Sequence, residues 1–165
     1  MAQRTYERIK NYSTDVPVER TITEIEKLLT KQGAKRILKE YDGSGALTGL
    51  AFTIGTAHGE MPVKMPVQIQ QIRQTLRNHV DAGLLPPKFK QDPWAKEQAA
   101  RVGWRIIRDW LDAQLTLINV EMVKVEQIFL PYVYSDRLKK TVFDIFEERK
   151  FQGLFGPAND KEGPL

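Results

Sequence analysis

Between Pro93 and Leu130 the chain runs thirty-eight residues rich in apolar side chains, with no further proline until Pro131. Asp92-Pro93 at its head is a helix start signal, because proline's fixed φ suits a first turn and its missing N–H is one that a helix leaves unpaired anyway. Trp104, Ile107, Leu111, Leu115, Ile118, Met122 and Val125 recur at spacings of three and four, which is one continuous apolar stripe. The pattern predicts a single helix over 93–130, more than about 50 Å long at about 1.5 Å per residue. A compact chain of 165 residues spans only about 30–35 Å. Such a helix either kinks, near Gly103 or Asn119, or projects and meets a partner, so a homo-oligomer is expected.

The residues before it change period twice. Positions 1–20 lack periodicity and include Pro17, which reads as an extended arm. Thr21 and Glu24 form a capping-box pattern ahead of Ile22, Ile25, Leu28 and Leu29, with Gly33 as the stop. From Arg36 the period is two: alternation through Tyr41, a hairpin loop at Asp42-Gly43-Ser44-Gly45, alternation again over Leu50-Phe52-Ile54, a turn at Ala57-His58-Gly59, then Met61, Val63, Met65 and Val67. Pro62 and Pro66 cannot donate to a ladder, so the third strand belongs at an edge. Ile69, Ile72, Leu76 and Val80 mark a second helix that Gly83 ends. After Pro131, Ser135 or Asp136 caps a last helix carrying Leu138, Val142, Ile145 and Phe146, and a glycine- and proline-rich tail follows. The expected fold class is α+β: a three-stranded antiparallel sheet flanked by helices, with the long helix and the C-terminal helix forming an α-helical subdomain. In segments, this is an arm at 1–20, an α-β-β-β-α unit at 21–85, a helical subdomain at 86–150 with the long helix at 93–130, and a partly ordered tail at 151–165.

The absence of cysteine excludes disulfides and thiolate metal sites. Arg105, Arg108, Asp109, Asp112, Glu121, Lys124 and Glu126 interrupt the longest apolar region, and central charges of this kind bar it from a bilayer. No apolar core of signal-peptide length follows Arg4, Arg8 and Lys10. A cytoplasmic protein is expected, in the host cytoplasm if the source is viral. Net charge is +4, but residues 60–108 carry nine basic groups against four acidic ones, while residues 109–165 are net acidic. A basic middle third points to a polyanion.

Arg101, Arg105 and Arg108 project from one helical face at i, i+4 and i+7, a row suited to successive phosphates, with Lys64, Arg73, Arg77, Lys88, Lys90 and Lys96 close in sequence. The same row also reads as surface ion pairing, because Asp109 and Asp112 lie four residues beyond Arg105 and Arg108. Trp104 and Trp110 fall on or beside the apolar stripe and read as core. Trp94, with Phe89 and the flanking Lys88, Lys90 and Lys96, is the aromatic and basic cluster outside a core face, where a base would stack. His58 and His79 have no second histidine at ligand spacing, so neither a metal nor another cofactor is expected. Asp42, Glu60 and Lys64 offer only a weak outline of a metal-dependent nuclease site, with Pro62 intervening.

The order helix, three antiparallel strands, helix over Thr21–Gly83 is similar in topology to double-stranded-RNA-binding domains. That family clamps phosphates with a lysine-rich start to its second helix, whereas here the segment reads Pro66-Val67-Gln68-Ile69-Gln70. The stretch from Trp104 to Leu115, followed by Phe129-Leu130-Pro131-Tyr132, resembles small proteins of phages and mobile elements, which implies genome handling or interference with a host. These readings converge on a non-enzymatic nucleic-acid-binding protein, taking DNA or RNA through its 60–108 region. The alternative is an oligomeric adaptor that uses the long helix for protein–protein contact.

Overall fold

Helix α1 (Val18–Lys31) starts a turn before the Thr21 capping signal, directly after Pro17. The computed structural model, which describes residues 7–155, places Thr21 inside that helix and fully buried. Glu24 faces α3 rather than the helix start, as the ion pairs below show. Gly33 takes φ +96°, and the Ala34 N–H closes the helix on the Leu29 carbonyl at 2.9 Å, a left-handed stop that glycine adopts without strain.

Strands β1 (Arg36–Tyr41), β2 (Leu47–Thr56) and β3 (Gly59–Lys64) form an antiparallel sheet in that order. The Asp42 carboxylate organises the first hairpin by accepting from the Ser44 hydroxyl at 2.7 Å, the Ser44 N–H at 2.8 Å and the Ala46 N–H at 3.0 Å. Those bonds, the Ser44 hydroxyl foremost, hold its carboxyl below the usual carboxylate range. Leu50, Phe52 and Ile54 of β2 and Met61 and Val63 of β3 turn one face inward, as a period of two dictates. β3 lies at an edge and ends at Lys64; one further bond, from the Met65 N–H to the Leu50 carbonyl at 2.9 Å, closes its ladder before the chain leaves the sheet.

Helix α2 (Ile69–Asp81) stops at Gly83, and a 3₁₀ turn at Pro87–Lys90 leads to α3 (Trp94–Asn119). Gly103 permits the close crossing of α2 on α3: a Cβ there would meet Ile69 Cδ1 at 2.5 Å. Trp104, Leu111 and Leu115 of α3 belong to the same core as α1, the sheet and Phe129. The division expected at residue 86 therefore corresponds to no break in packing.

The helix expected over 93–130 is twenty-six residues long, about 39 Å, and its length no longer demands a kink. It ends because Glu121 adopts a left-handed φ of +59° while the Glu121 and Met122 N–H groups return to the carbonyls of Ile118 and Leu117, both at 3.0 Å. This is a helix stop that usually carries glycine, and glutamate in that place leaves no sequence signal. Beyond it come α4 (Val125–Phe129), a small hairpin of β4 (Tyr134–Ser135) and β5 (Lys140–Thr141), and α5 (Val142–Glu148). The last helix is capped by Thr141, not by Ser135 or Asp136: the Thr141 hydroxyl accepts from Asp144 N–H at 3.2 Å, and the Asp144 carboxylate accepts from Thr141 N–H at 2.8 Å. Leu138 lies outside it and is exposed. No helix among the described residues is long and apolar enough to cross a membrane. The tail expected at 151–165 falls outside the described residues from 156 onward, as do residues 1–6 of the arm.

Candidate functional site

Gln98 fixes the arm. It is buried on α3, and its amide donates to the carbonyls of Tyr12 at 3.0 Å and Thr14 at 2.8 Å, while its oxygen accepts from Arg101 at 3.2 Å. The arm is tied again by the Ile9 N–H, which donates to Nε2 of buried His79 at 3.3 Å, and by Asp109, which takes Lys10 at 3.0 Å and Asn11 at 2.9 Å. Ile9 and Tyr12 thereby pack on a second apolar cluster built from Leu76, Leu85, Phe89, Ala99 and Val102.

Between this arm and the connector joining α2 to α3 lies a cleft of about 500 Å³. Among the described residues three cations line it, Arg8 from the arm, Lys88 from the connector and Arg101 from α3, against one carboxylate, Asp15, together with the rings of Tyr12 and Trp94. The Lys88 ammonium stands 4.8 Å from the Trp94 ring centroid, and the Arg8 guanidinium 5.2 Å from that of Tyr12. Such cation–π contacts hold flexible side chains at a cleft without neutralising them. Arg8 and Lys88 make no ion pair among the described residues, and Arg101 meets Glu97 only at 3.6 Å.

Of the residues singled out from sequence, the structure thus brings Lys88, Trp94 and Arg101 together. Phe89 is a correction: it lies at the cleft wall but is 4% exposed and packs edge-on to Trp94 at 5.1 Å, so its faces belong to the core. Arg105 and Arg108 turn toward α1, where both meet Glu24, at 2.9 and 3.0 Å, and Arg108 also meets Asp109 and Asp112. The pairing of Arg105 with Asp109 expected from spacing gives way to this bridge between helices. Lys64 pairs with Glu40 at 3.8 Å and lies over Tyr134, Arg73 pairs with Asp92, and Lys90 with Asp81 at 2.6 Å. Arg77 and Lys96 pair with no carboxylate among the described residues but do not line the cleft. The row of basic residues therefore does not form one wall. Arg8 and Tyr12 escaped the sequence reading, because a cleft wall supplied by an aperiodic arm more than seventy residues away leaves no local pattern, and Gln98 of α3 gains its role only by holding that arm.

Asp42 lies against Ala46, just before β2, whereas Glu60 lies beside Gly55 at the far end of that strand and is paired with Lys35 at 3.2 Å. The carboxylates of the nuclease outline do not converge. Among the described residues no group of three acidic, histidine or cysteine side chains is arranged to hold a metal ion.

The tether at Asp109 makes the arm acid-sensitive. Partial burial acts to raise the Asp109 pKa, but hydrogen bonds from Asn11 and Lys10, the Lys10 charge and Arg108 outweigh it and leave the carboxyl below the usual range. A carboxyl lowered by folding stabilises fully above its unfolded value of about 3.9 and loses that contribution as pH falls through the lower folded value. Asp109→Asn is expected to cost about 1 kcal/mol near neutrality. Denaturant titrations across the acid range should show that gap closing as pH drops below about 4, and a gap independent of pH would contradict the assignment.

No known protein family, curated protein or solved structure matches the chain.

Proposed function

We propose that the protein binds nucleic acid without acting on it chemically, seating an unpaired nucleotide in the cleft between the arm and the α2–α3 connector. The observation that carries this reading is the convergence of Arg8, Lys88 and Arg101 with Tyr12 and Trp94 around one opening. A volume of about 500 Å³ suits one nucleotide and is too small for a duplex. Aromatic faces take any base by stacking, and the surrounding cations take the flanking phosphates. A base on the Trp94 face displaces Lys88, which then meets the adjoining phosphate. This site is narrower than a basic surface over 60–108, whose other members are mostly engaged with carboxylates.

Fluorescence anisotropy with labelled single-stranded oligonucleotides tests it. Binding at low salt should weaken with a log–log slope of about −2, as three cations displacing single-strand counterions require. No binding at low salt, or a preference for duplex, would overturn the proposal.

The adaptor reading keeps one observation in its favour. Val120, Met122, Leu130, Leu138, Phe143 and Phe155 are exposed beyond α3, and apolar exposure on this scale suits protein contact. The stripe of α3 itself is spent on the core, so an adaptor would work through these C-terminal residues.

A further inference from the structure

We propose that β1 is a pairing edge between two copies of this chain, which join antiparallel about Leu38 and merge their sheets into one of six strands. The two outer edges of the sheet differ. β3 is guarded: Pro62 lacks an N–H and Val63 bridges to Val133, so little of that edge is open. Among the described residues β1 has no strand beyond it, and Leu38 and Tyr41 are 60% and 58% exposed. A bare strand without proline is a template for another strand.

The direction of the free backbone groups follows from one bond. Met65 N–H donates to Leu50 C=O at 2.9 Å, so the polar groups of Leu50 face β3 and, by alternation, those of Gly49, Ala51 and Thr53 face β1. Their partners Glu40, Leu38 and Arg36 therefore bond inward, and Ile37 and Lys39 present N–H and C=O outward. Among the described residues those outward groups meet no partner.

An antiparallel pair centred on Leu38 satisfies them, since Ile37 of each copy then exchanges both hydrogen bonds with Lys39 of the other. On the solvent face the same register sets Leu38 against Leu38, and Arg36 of each copy against Glu40 of its mate. The sequence Arg36-Ile37-Leu38-Lys39-Glu40 is charge-complementary to itself when reversed. Its opposed side chains fall at the non-hydrogen-bonded positions, where strands bring them closest. Glu40 now lies over Gly49 and reaches Lys64 only at 3.8 Å, a contact weak enough to exchange for Arg36 of the second copy. On the other face Lys39 is held by Glu26 at 2.7 Å and stays clear of the seam.

Sedimentation equilibrium of the full chain, alone and in mixtures, decides this. Wild type is expected to dimerise. Arg36→Glu and Glu40→Arg each set like charges opposite one another twice, so each should weaken self-association roughly tenfold or more. In an equal mixture one variant brings two carboxylates to the seam and the other two guanidinium groups, so each facing pair is again of opposite charge and the dimer mass should return. That recovery also shows that both variants fold. A wild type that stays monomeric, single variants that dimerise like wild type, or a mixture that fails to recover would each overturn the proposal. The nucleotide-binding reading does not depend on the outcome, because no cleft residue lies on β1.

Discussion

Replacing Lys88 and Arg101 with alanine is expected to lower affinity for a single-stranded oligonucleotide about a hundredfold at low salt and to flatten the log–log salt slope by about 1.4. Both side chains line the cleft, and neither supports the core. Lys88 is exposed, and Arg101 contacts only Gln98 and Glu97 among the described polar partners. The double variant should lose only about 1 kcal/mol of folded stability, for the Gln98 oxygen left without its Arg101 donor. Changing Arg105 and Arg108 instead tests the discrimination: their charge is taken up by Glu24, Asp109 and Asp112. That pair of substitutions should cost stability while leaving the salt slope nearly unchanged. Anisotropy titrations at several salt concentrations read both quantities, and equal effects of the two double variants would contradict a localised cleft.

The second large effect is on stability. Trp104 has no exposed surface and sits where α3 meets α1 and the sheet. Trp104→Ala should cost about 3–5 kcal/mol, combining lost burial with the space left behind. Trp104→Phe should cost markedly less. It keeps most of the apolar volume and removes an indole N–H that has no acceptor among the described residues, so no hydrogen bond is lost with it. Urea denaturation measures the difference, and similar midpoints for the two variants would contradict the placement of this side chain at the centre of the core.

The sheet was legible because its signals are local. Asp42-Gly43-Ser44-Gly45 specifies a loop by its own hydrogen bonds, and β2 advertises its inner face every second residue. Helix ends were legible where glycine marked them, at Gly33 and Gly83, and illegible at Glu121, where the same left-handed turn is imposed on a residue that does not announce it. Thr21 and Glu24 imitate a capping box, yet tertiary packing claims both, one for the core and one for two arginines of α3. Within the cleft, Lys88, Trp94 and Arg101 stood out because they are near one another in sequence. Arg8 and Tyr12 did not, since the arm is brought to them by Gln98, His79 and Asp109, polar residues far from it in sequence.

Photo-crosslinking of a 5-iodouracil-substituted oligonucleotide, followed by mass spectrometric mapping of the attached peptides, locates the bound base directly. Attachment at Trp94 or Tyr12, suppressed by the Lys88 and Arg101 alanine pair, is the predicted result. Attachment on the solvent face of the sheet or on the exposed side chains beyond α3, or no attachment at low salt, would contradict a nucleotide seated between the arm and the connector.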